Sequence, residues 1–321
     1  MTATATAQLP MILAEVEVTA VERISPTFVR IELGGDALAD FGVPGKLYDQ
    51  RIKLVFPNEA GDLASFEGAD ESWFATWLDI PAEERGHMRT YTVREVRGRG
   101  RDTRLVVDFV LHLEDGATGP GSAWAASAAV GDRLVTMAPR RGVPFGGIEF
   151  VPGTARTLLL VGDETAVPAI SSILADLPDG ARGTAFLEVP VAGDVLDVAC
   201  PAGMEVVWLP RGDAALGERL TAAVLAHLGE AVAHAEVAPG GIDQVEVDPD
   251  LWETPTYSSS GEPLDDAAVT VGHDLDGLYA WIAGESAVVT TLRRYLVREL
   301  GMDRRQVAFM GYWRRGVAMR S

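Results

Sequence analysis

The sequence predicts two domains: an antiparallel β-barrel or sandwich, then an α/β domain built on a parallel sheet. Three observations predict it. At 321 residues the chain exceeds the usual reach of one hydrophobic core. Its first half alternates apolar and polar residues between Gly- and Pro-rich turns, the period of half-buried strands. Its second half alternates short apolar runs with helical stretches, as parallel strands joined by covering helices do.

In chain order, residues 13–22 (LAEVEVTAVE) and 28–33 (FVRIEL) read as strands, as do Arg51–Phe56, Met88–Glu95 and Arg104–His112. Gly34-Gly35, Pro44-Gly45, Pro57-Asn58 and Gly98–Gly100 mark the turns. Residues Ser122–Ala129 read as a helix with Ser122 as N-cap and Gly131 as its stop. Beyond residue 155 the predicted strands are Thr157–Val161, Ala185–Val189, Val206–Leu209, Tyr279–Ala283 and Gln306–Tyr312. The predicted helices are Thr165–Leu177, Leu216–Leu228 and Ala287–Leu300. The acidic, poorly periodic Pro239–Asp276 reads as an excursion from this domain. The domains are placed at 11–152 and 155–321.

Composition narrows the function. A formal net charge of −20 disfavours nucleic acid and anionic lipid as partners. Only Lys46 and Lys53 are lysines. The single cysteine, Cys200, excludes an internal disulfide and cysteine-based metal clusters, and fits a reducing cytoplasm. Apolar runs such as Leu158–Val161 are too short to span a bilayer, and the N-terminal stretch lacks the basic and apolar regions of a signal peptide.

Three clusters carry chemistry. In Arg89-Thr90-Tyr91-Thr92, strand alternation sets Arg89 and Tyr91 on one face. A guanidinium suits a phosphate, a tyrosine can lie against a planar ring, and Thr92 can bond its polar edge. Asp108-Phe109-Val110-Leu111-His112 ends a strand in a histidine that suits a ribityl or phosphate oxygen. Gly121-Ser122-Ala123-Trp124 opens a helix whose free N–H groups suit a pyrophosphate. Each cluster alone also reads as ordinary structure: a surface arginine, a packed histidine, a capped helix. Their order within Arg89–Ala125 lets one extended dinucleotide touch all three.

With these motifs the chain resembles the siderophore-interacting protein family, FAD-dependent ferric-siderophore reductases of the ferredoxin–NADP reductase superfamily. The resemblance is carried by Arg89/Tyr91/Thr92, Asp108–His112, Gly121–Ala125, Gly162–Ile170, Trp208-Leu209-Arg211, Ala280–Glu285 and Gly311–Gly316, in order and across nearly the whole chain. It implies a six-stranded-type flavin-binding barrel followed by a ferredoxin-reductase-like nucleotide-binding domain. It implies FAD held by Arg89, Tyr91, Thr92, Asp108, Val110, His112, Gly121, Ser122, Ala123 and Trp124, and also by Asp163 and Thr165, which open the first helix of the second domain. NADH or NADPH would be the donor, near Arg211 and Glu285, with reduced ferredoxin as the other option. The carboxylates of Asp163-Glu164 stand where a dinucleotide diphosphate ordinarily binds, so its binding is expected to be displaced; Arg211 could instead pair with an acid. Ferric siderophores are mostly anionic, so Lys53, Arg293 or Arg294, and Arg314 or Arg315 are the expected substrate contacts. No metal ligand is expected. The alternatives on this scaffold are a general flavin or quinone reductase and a non-enzymatic siderophore-binding flavoprotein.

Overall fold

The structure, a computed structural model, describes residues 9–112, 118–229, 252–253, 275 and 277–316. The chain divides into two compact units between Ile148 and Glu149.

The first unit is one antiparallel sheet of β1 (Met11–Arg23), β2 (Phe28–Gly34), β3 (Arg51–Phe56), β4 (His87–Thr92), β5 (Glu95–Arg97), β6 (Arg104–Val110) and β7 (Arg133–Pro139). Its order is β4-β3-β7-β1-β2-β6-β5. The two edges are one piece of chain. Between β4 and β5, Val93 N donates to Gln50 O beside β3 (2.9 Å), and Arg94 N donates to Val106 O in β6 (2.8 Å). The sheet therefore curls until its edges share a strand, and counted that way the barrel has six strands. Its interior is filled by alternate residues, among them Ile31, Leu33, Ile52, Leu54, Phe56, Val107, Phe109 and Leu134. The opposite face of β3, β4 and β7 carries Val55, Met88 and Val135, covered by Trp73 and Trp77 of α1 (Trp73–Asp79). Trp77 is fully buried, and its indole N–H donates to Arg85 O at 3.1 Å. Helix α2 (Pro120–Ser127) packs beside β3, β4 and β6.

The second unit is a sheet ordered β10-β9-β8-β12-β13-β11. Strands β8 (Thr157–Gly162), β9 (Gly183–Val189), β10 (Met204–Pro210), β12 (Leu278–Glu285) and β13 (Val307–Trp313) are parallel. Their near-continuous apolar runs match burial on both faces. Helices α3 (Val167–Asp176), α4 (Glu218–Leu228) and α5 (Ser286–Arg293) cover the sheet, and α5 continues as a π-helical turn over Arg294–Glu299. Of the acidic excursion, Trp252–Glu253 adds the short antiparallel edge strand β11 against Met310 and Phe309. Apart from these two residues and residue 275, it lies outside the described residues.

Three expectations are corrected. Met88–Glu95 is two strands, because the chain changes partner at Val93. Ser122 is not the N-cap of α2: Gly119 is, with Pro120 fixing the first turn. Gly131 does not end that helix, which stops at Ser127; its N–H pairs with Val18 O (2.9 Å) in a turn at φ 98°. Strand β7 and helix α1 have no counterpart among the elements expected from sequence. Among the described residues no helix is long and apolar enough to cross a membrane.

Candidate functional site

In the barrel, register fixes which side chains meet. Pairing of Ile52 with Tyr91 and Leu54 with Arg89 puts Arg89 and Tyr91 on the interior face of β4. The Tyr91 ring lies 4.4 Å from Phe109 and 6.0 Å from Phe56, centroid to centroid. Burial, opposed by the Arg89 charge, pushes the Tyr91 phenol above its ordinary range, so it stays a neutral hydroxyl. A Cβ added at Gly121 would stand 2.1 Å from the Tyr91 oxygen. Only glycine lets the start of α2 approach this tyrosine. Trp124, one turn on, packs 5.3 Å from Phe56 and 5.8 Å from Phe109. Ala123 is exposed.

Arg89 is half-buried, and one guanidinium N–H donates to Met88 O at 2.7 Å. Burial lowers its pKa, opposed by Tyr91, yet an arginine remains cationic. His112 lies just past β6; its backbone N–H donates to Ser122 Oγ at 2.8 Å. Ser122 thus ties the β6 end to the first turn of α2. No side chain caps that turn. Three segments thereby converge: β4 through Tyr91 and Gly121, and the β6 end through His112 and Ser122.

Asp108, Val110 and Thr92 project otherwise. Asp108 is buried on the β6 face opposite Phe109, and Arg30 grips both its oxygens at 2.7 and 2.8 Å. That pair spans β2 and β6, so the carboxylate is committed to structure. Val110 follows it in phase, half-buried. Thr92 is buried and shares the outer face with Thr90, Lys53 and Arg51. There Lys53 Nζ lies 3.3 Å from Thr90 Oγ1. Its pKa is lowered by burial first and by the Arg51 charge second.

In the parallel-sheet unit, strand order reverses between β8 and β12, the place where such sheets take ligands. Asp163, directly after β8, is buried there. It accepts from Thr165 N (2.9 Å), Thr165 Oγ1 (2.5 Å), Glu285 N (2.7 Å) and Trp313 Nε1 (2.8 Å). Burial and the Glu164 charge push its carboxyl up to about 6, against the bonds from the Thr165 hydroxyl, the Trp313 indole and the Glu285 amide. Glu164 is buried beside it and paired with Arg211 at 3.1 and 3.2 Å. Arg211 also reaches Glu188 at 3.0 Å, and Glu188 accepts from Gly217 N and Leu220 N at the start of α4. Burial opposes the charge on Arg211, but bonds and charges from both glutamates raise its pKa. The pairing with acids, one of the two roles sequence left open for Arg211, is present in the structure. Glu285 caps α5, accepting from Ala287 N (2.6 Å) and Val288 N (3.2 Å).

Arg314 follows β13 directly, and Ser286 at the start of α5 donates to Trp313 O (2.9 Å). Arg293 is in the last turn of that helix, about 10 Å along it at 1.5 Å per residue. Their backbones lie at opposite ends of α5.

Comparison with known proteins follows the same division. A family model described as the siderophore-interacting FAD-binding domain matches residues 17–143, and one described as siderophore-interacting protein matches 155–316. Ferric vibriobactin reductase ViuB of Vibrio cholerae is 28% identical, with 91% of this chain and 86% of that protein covered. The NADPH-dependent ferric-chelate reductase of Escherichia coli is 32% identical, with 64% of this chain and 74% of that protein covered. A crystal structure of a siderophore utilization protein from T. fusca superposes with a TM-score of 0.65 at 29% identity, covering 97% of this chain and 95% of that one.

Proposed function

The chain belongs to the siderophore-interacting protein family, and from that premise we propose that it is a cytoplasmic ferric-siderophore reductase that binds FAD in its barrel unit. The observation that carries the reading is the convergence of Arg89–Tyr91, His112 and the start of α2, inside the residues matched by the FAD-binding model. These residues fit FAD. They offer a guanidinium for a phosphate, an aromatic ring, and a helix start free of a side-chain cap whose glycine admits close approach. Names of two relatives, a ferric vibriobactin reductase and an NADPH-dependent ferric-chelate reductase, support the reaction and the donor.

In this reading FAD, when bound, would supply the link between two-electron nicotinamide chemistry and one-electron ferric chemistry. The protein supplies position and electrostatics. Arg89 neutralises phosphate charge, and its interior setting keeps water from competing for it. Tyr91 stays protonated and presents an uncharged ring. Thr92 lies at the outer face of the same strand, toward Lys53. His112 and Ser122 hold the pyrophosphate end, with Gly121 and Ala123 giving the backbone approach. Trp124 acts by packing on Phe56 and Phe109, and Asp108 by its pair with Arg30.

The substrate is a ferric chelate, and iron leaves because siderophore oxygens hold the softer ferrous ion more weakly. No protein ligand to iron is needed for this release. A protein of net charge −20 repels an anionic chelate at long range, so local cations must receive it. We assign that role to Lys53 in the barrel unit; within the second unit, taken by itself, Arg314 and Arg293 are the candidate cations. On the donor side, Glu285 sets the backbone at the α5 start, while Arg211 acts by neutralising Glu164 and Glu188. Reduced ferredoxin is the alternative donor.

Stopped-flow absorbance separates the steps. The FAD-loaded protein is mixed with NADPH, NADH or reduced ferredoxin, and the reduced protein then with a panel of ferric siderophores. A reductase bleaches with one donor and recovers its colour with a ferric siderophore while a ferrous chelator traps iron. Recovery with free quinone or flavin but with no ferric siderophore would make it a general reductase.

A further inference from the structure

We propose that Asp163 is a positioning residue, holding the Trp313 indole and the Glu285 amide across the C-terminal ends of β8, β12 and β13 and so shaping the surface that meets the electron donor. The proposal rests on the donor half of the reading above.

Three strand ends meet on this one carboxylate. Asp163 comes from β8, the Glu285 N–H from β12 and the Trp313 indole N–H from β13. Thr165 supplies two further donors from the turn into α3. The fit is tight on the β12 side. Gly284 sits at φ 145°, and a Cβ there would come within 2.7 Å of the Asp163 carboxyl. Neighbouring residues are fixed in turn: Ser286 Oγ binds the Trp313 carbonyl, and the Glu285 carboxylate takes the Arg315 N–H at 3.2 Å. Both faces of Trp313's attachment, backbone and indole, are thereby set, and the indole rests on Asp163.

The site is the strand-order reversal, where a donor approaching this unit would dock. Two carboxylates already stand at the turn that usually takes a dinucleotide diphosphate. Arg211 neutralises one of them, Glu164; the other, Asp163, is answered by neutral N–H and O–H groups. Charged groups around it are Glu164 on its own turn, Glu285 at the end of β12, Arg211 beyond Glu164, and Arg314 and Arg315 following Trp313. Protonation of Asp163 would surrender acceptor capacity and loosen the indole.

The test is Asp163→Asn, Trp313→Phe and the double variant, each loaded with FAD. In 15N-labelled protein the indole N–H resonance of Trp313, identified by its absence in W313F, reports the bond directly. In D163N we expect that resonance to shift, flavin reduction by NADPH to slow by about tenfold, and reoxidation by ferric siderophore to stay within about twofold of wild type. W313F should slow the same donor step, and the double variant should be no slower than the worse single one. In wild type the Trp313 resonance should move with pH through the titration of Asp163 and stay fixed in D163N. An unshifted Trp313 resonance in D163N, or losses that multiply in the double variant, overturns the proposal. Should D163N not fold, a Trp313 resonance that is flat from about pH 8 to about pH 5 in wild type overturns it equally. A wild-type protein inert toward every ferric siderophore would sink the reductase reading, yet leave the resonance test of Asp163 intact.

Discussion

Replacing Arg211 with methionine removes the cation that Glu164 and Glu188 share while keeping most of its bulk. The side chains of those glutamates are 2% and 0% exposed, against 16% for Arg211. Removing one partner of a buried ion pair typically costs about 3–5 kcal/mol, because an uncompensated charge stays behind. Here two carboxylates are left, and Glu188 also holds the Gly217 and Leu220 amides that begin α4. For a unit of this length about 1 kcal/mol moves the midpoint by ~2–4 °C, so R211M should lower the melting of the second unit by ~6–20 °C. The sign of the pH dependence follows. Unpaired buried carboxylates titrate above their unfolded values, so the penalty is present at high pH and relieved as pH falls through the raised values. Calorimetry of wild type and R211M at about pH 7.5 and about pH 5.5 checks both points, the gap narrowing at the lower pH. An R211M protein that melts within ~2 °C of wild type but has a raised KM for NADPH would refute the reasoning and make Arg211 a donor ligand instead.

Three further outcomes are expected. Arg89→Ala should leave the melting midpoint nearly unchanged while lowering the FAD retained after gel filtration; unchanged flavin content would refute the phosphate role. Gly121→Ala places a methyl on the Tyr91 hydroxyl, so it should destabilise the barrel by about 1–3 kcal/mol and weaken FAD binding, as denaturant melts and flavin titration would report. Lys53→Ala should slow reoxidation by anionic ferric siderophores more than it slows reduction by the donor. In wild type the reoxidation rate should fall at a pH below the ordinary lysine range, because burial and Arg51 lower the Lys53 pKa; equal effects on both half-reactions would count against a substrate role.

The strands and helices that bury one clear face were legible in the sequence, since alternation in β1 to β3 and apolar runs in β8 to β10 need no tertiary information. Strand β7 was not, although it pairs with both β1 and β3. Its Arg-Leu-Val-Thr-Met-Ala-Pro run buries both faces at Leu134, Val135 and Thr136, which blurs a period of two. Helix α1 carried a usable signal in Trp73 and Trp77, four apart, but seven residues are too few for a convincing helical pattern. At the site, motif order grouped Arg89, Tyr91, His112 and Gly121, and the fold sets Gly121 against Tyr91 and Ser122 against His112. What the sequence could not supply was direction and partnership. Arg30 lies far along the chain from Asp108 yet claims it across a strand pair, and Lys53 points to the sheet face opposite Tyr91. Likewise Glu188, buried inside a strand that reads as apolar, gave no hint that it would share Arg211 with Glu164.

Flavin binding by the barrel decides the most. The purified protein is incubated with excess FAD and freed of unbound cofactor, and its visible absorbance is read beside R89A and G121A. A stoichiometric flavin band in wild type, diminished in both variants, is the predicted result. A wild-type protein that emerges colourless, or variants that hold as much flavin as wild type, would contradict a site built on Arg89, Tyr91 and the start of α2.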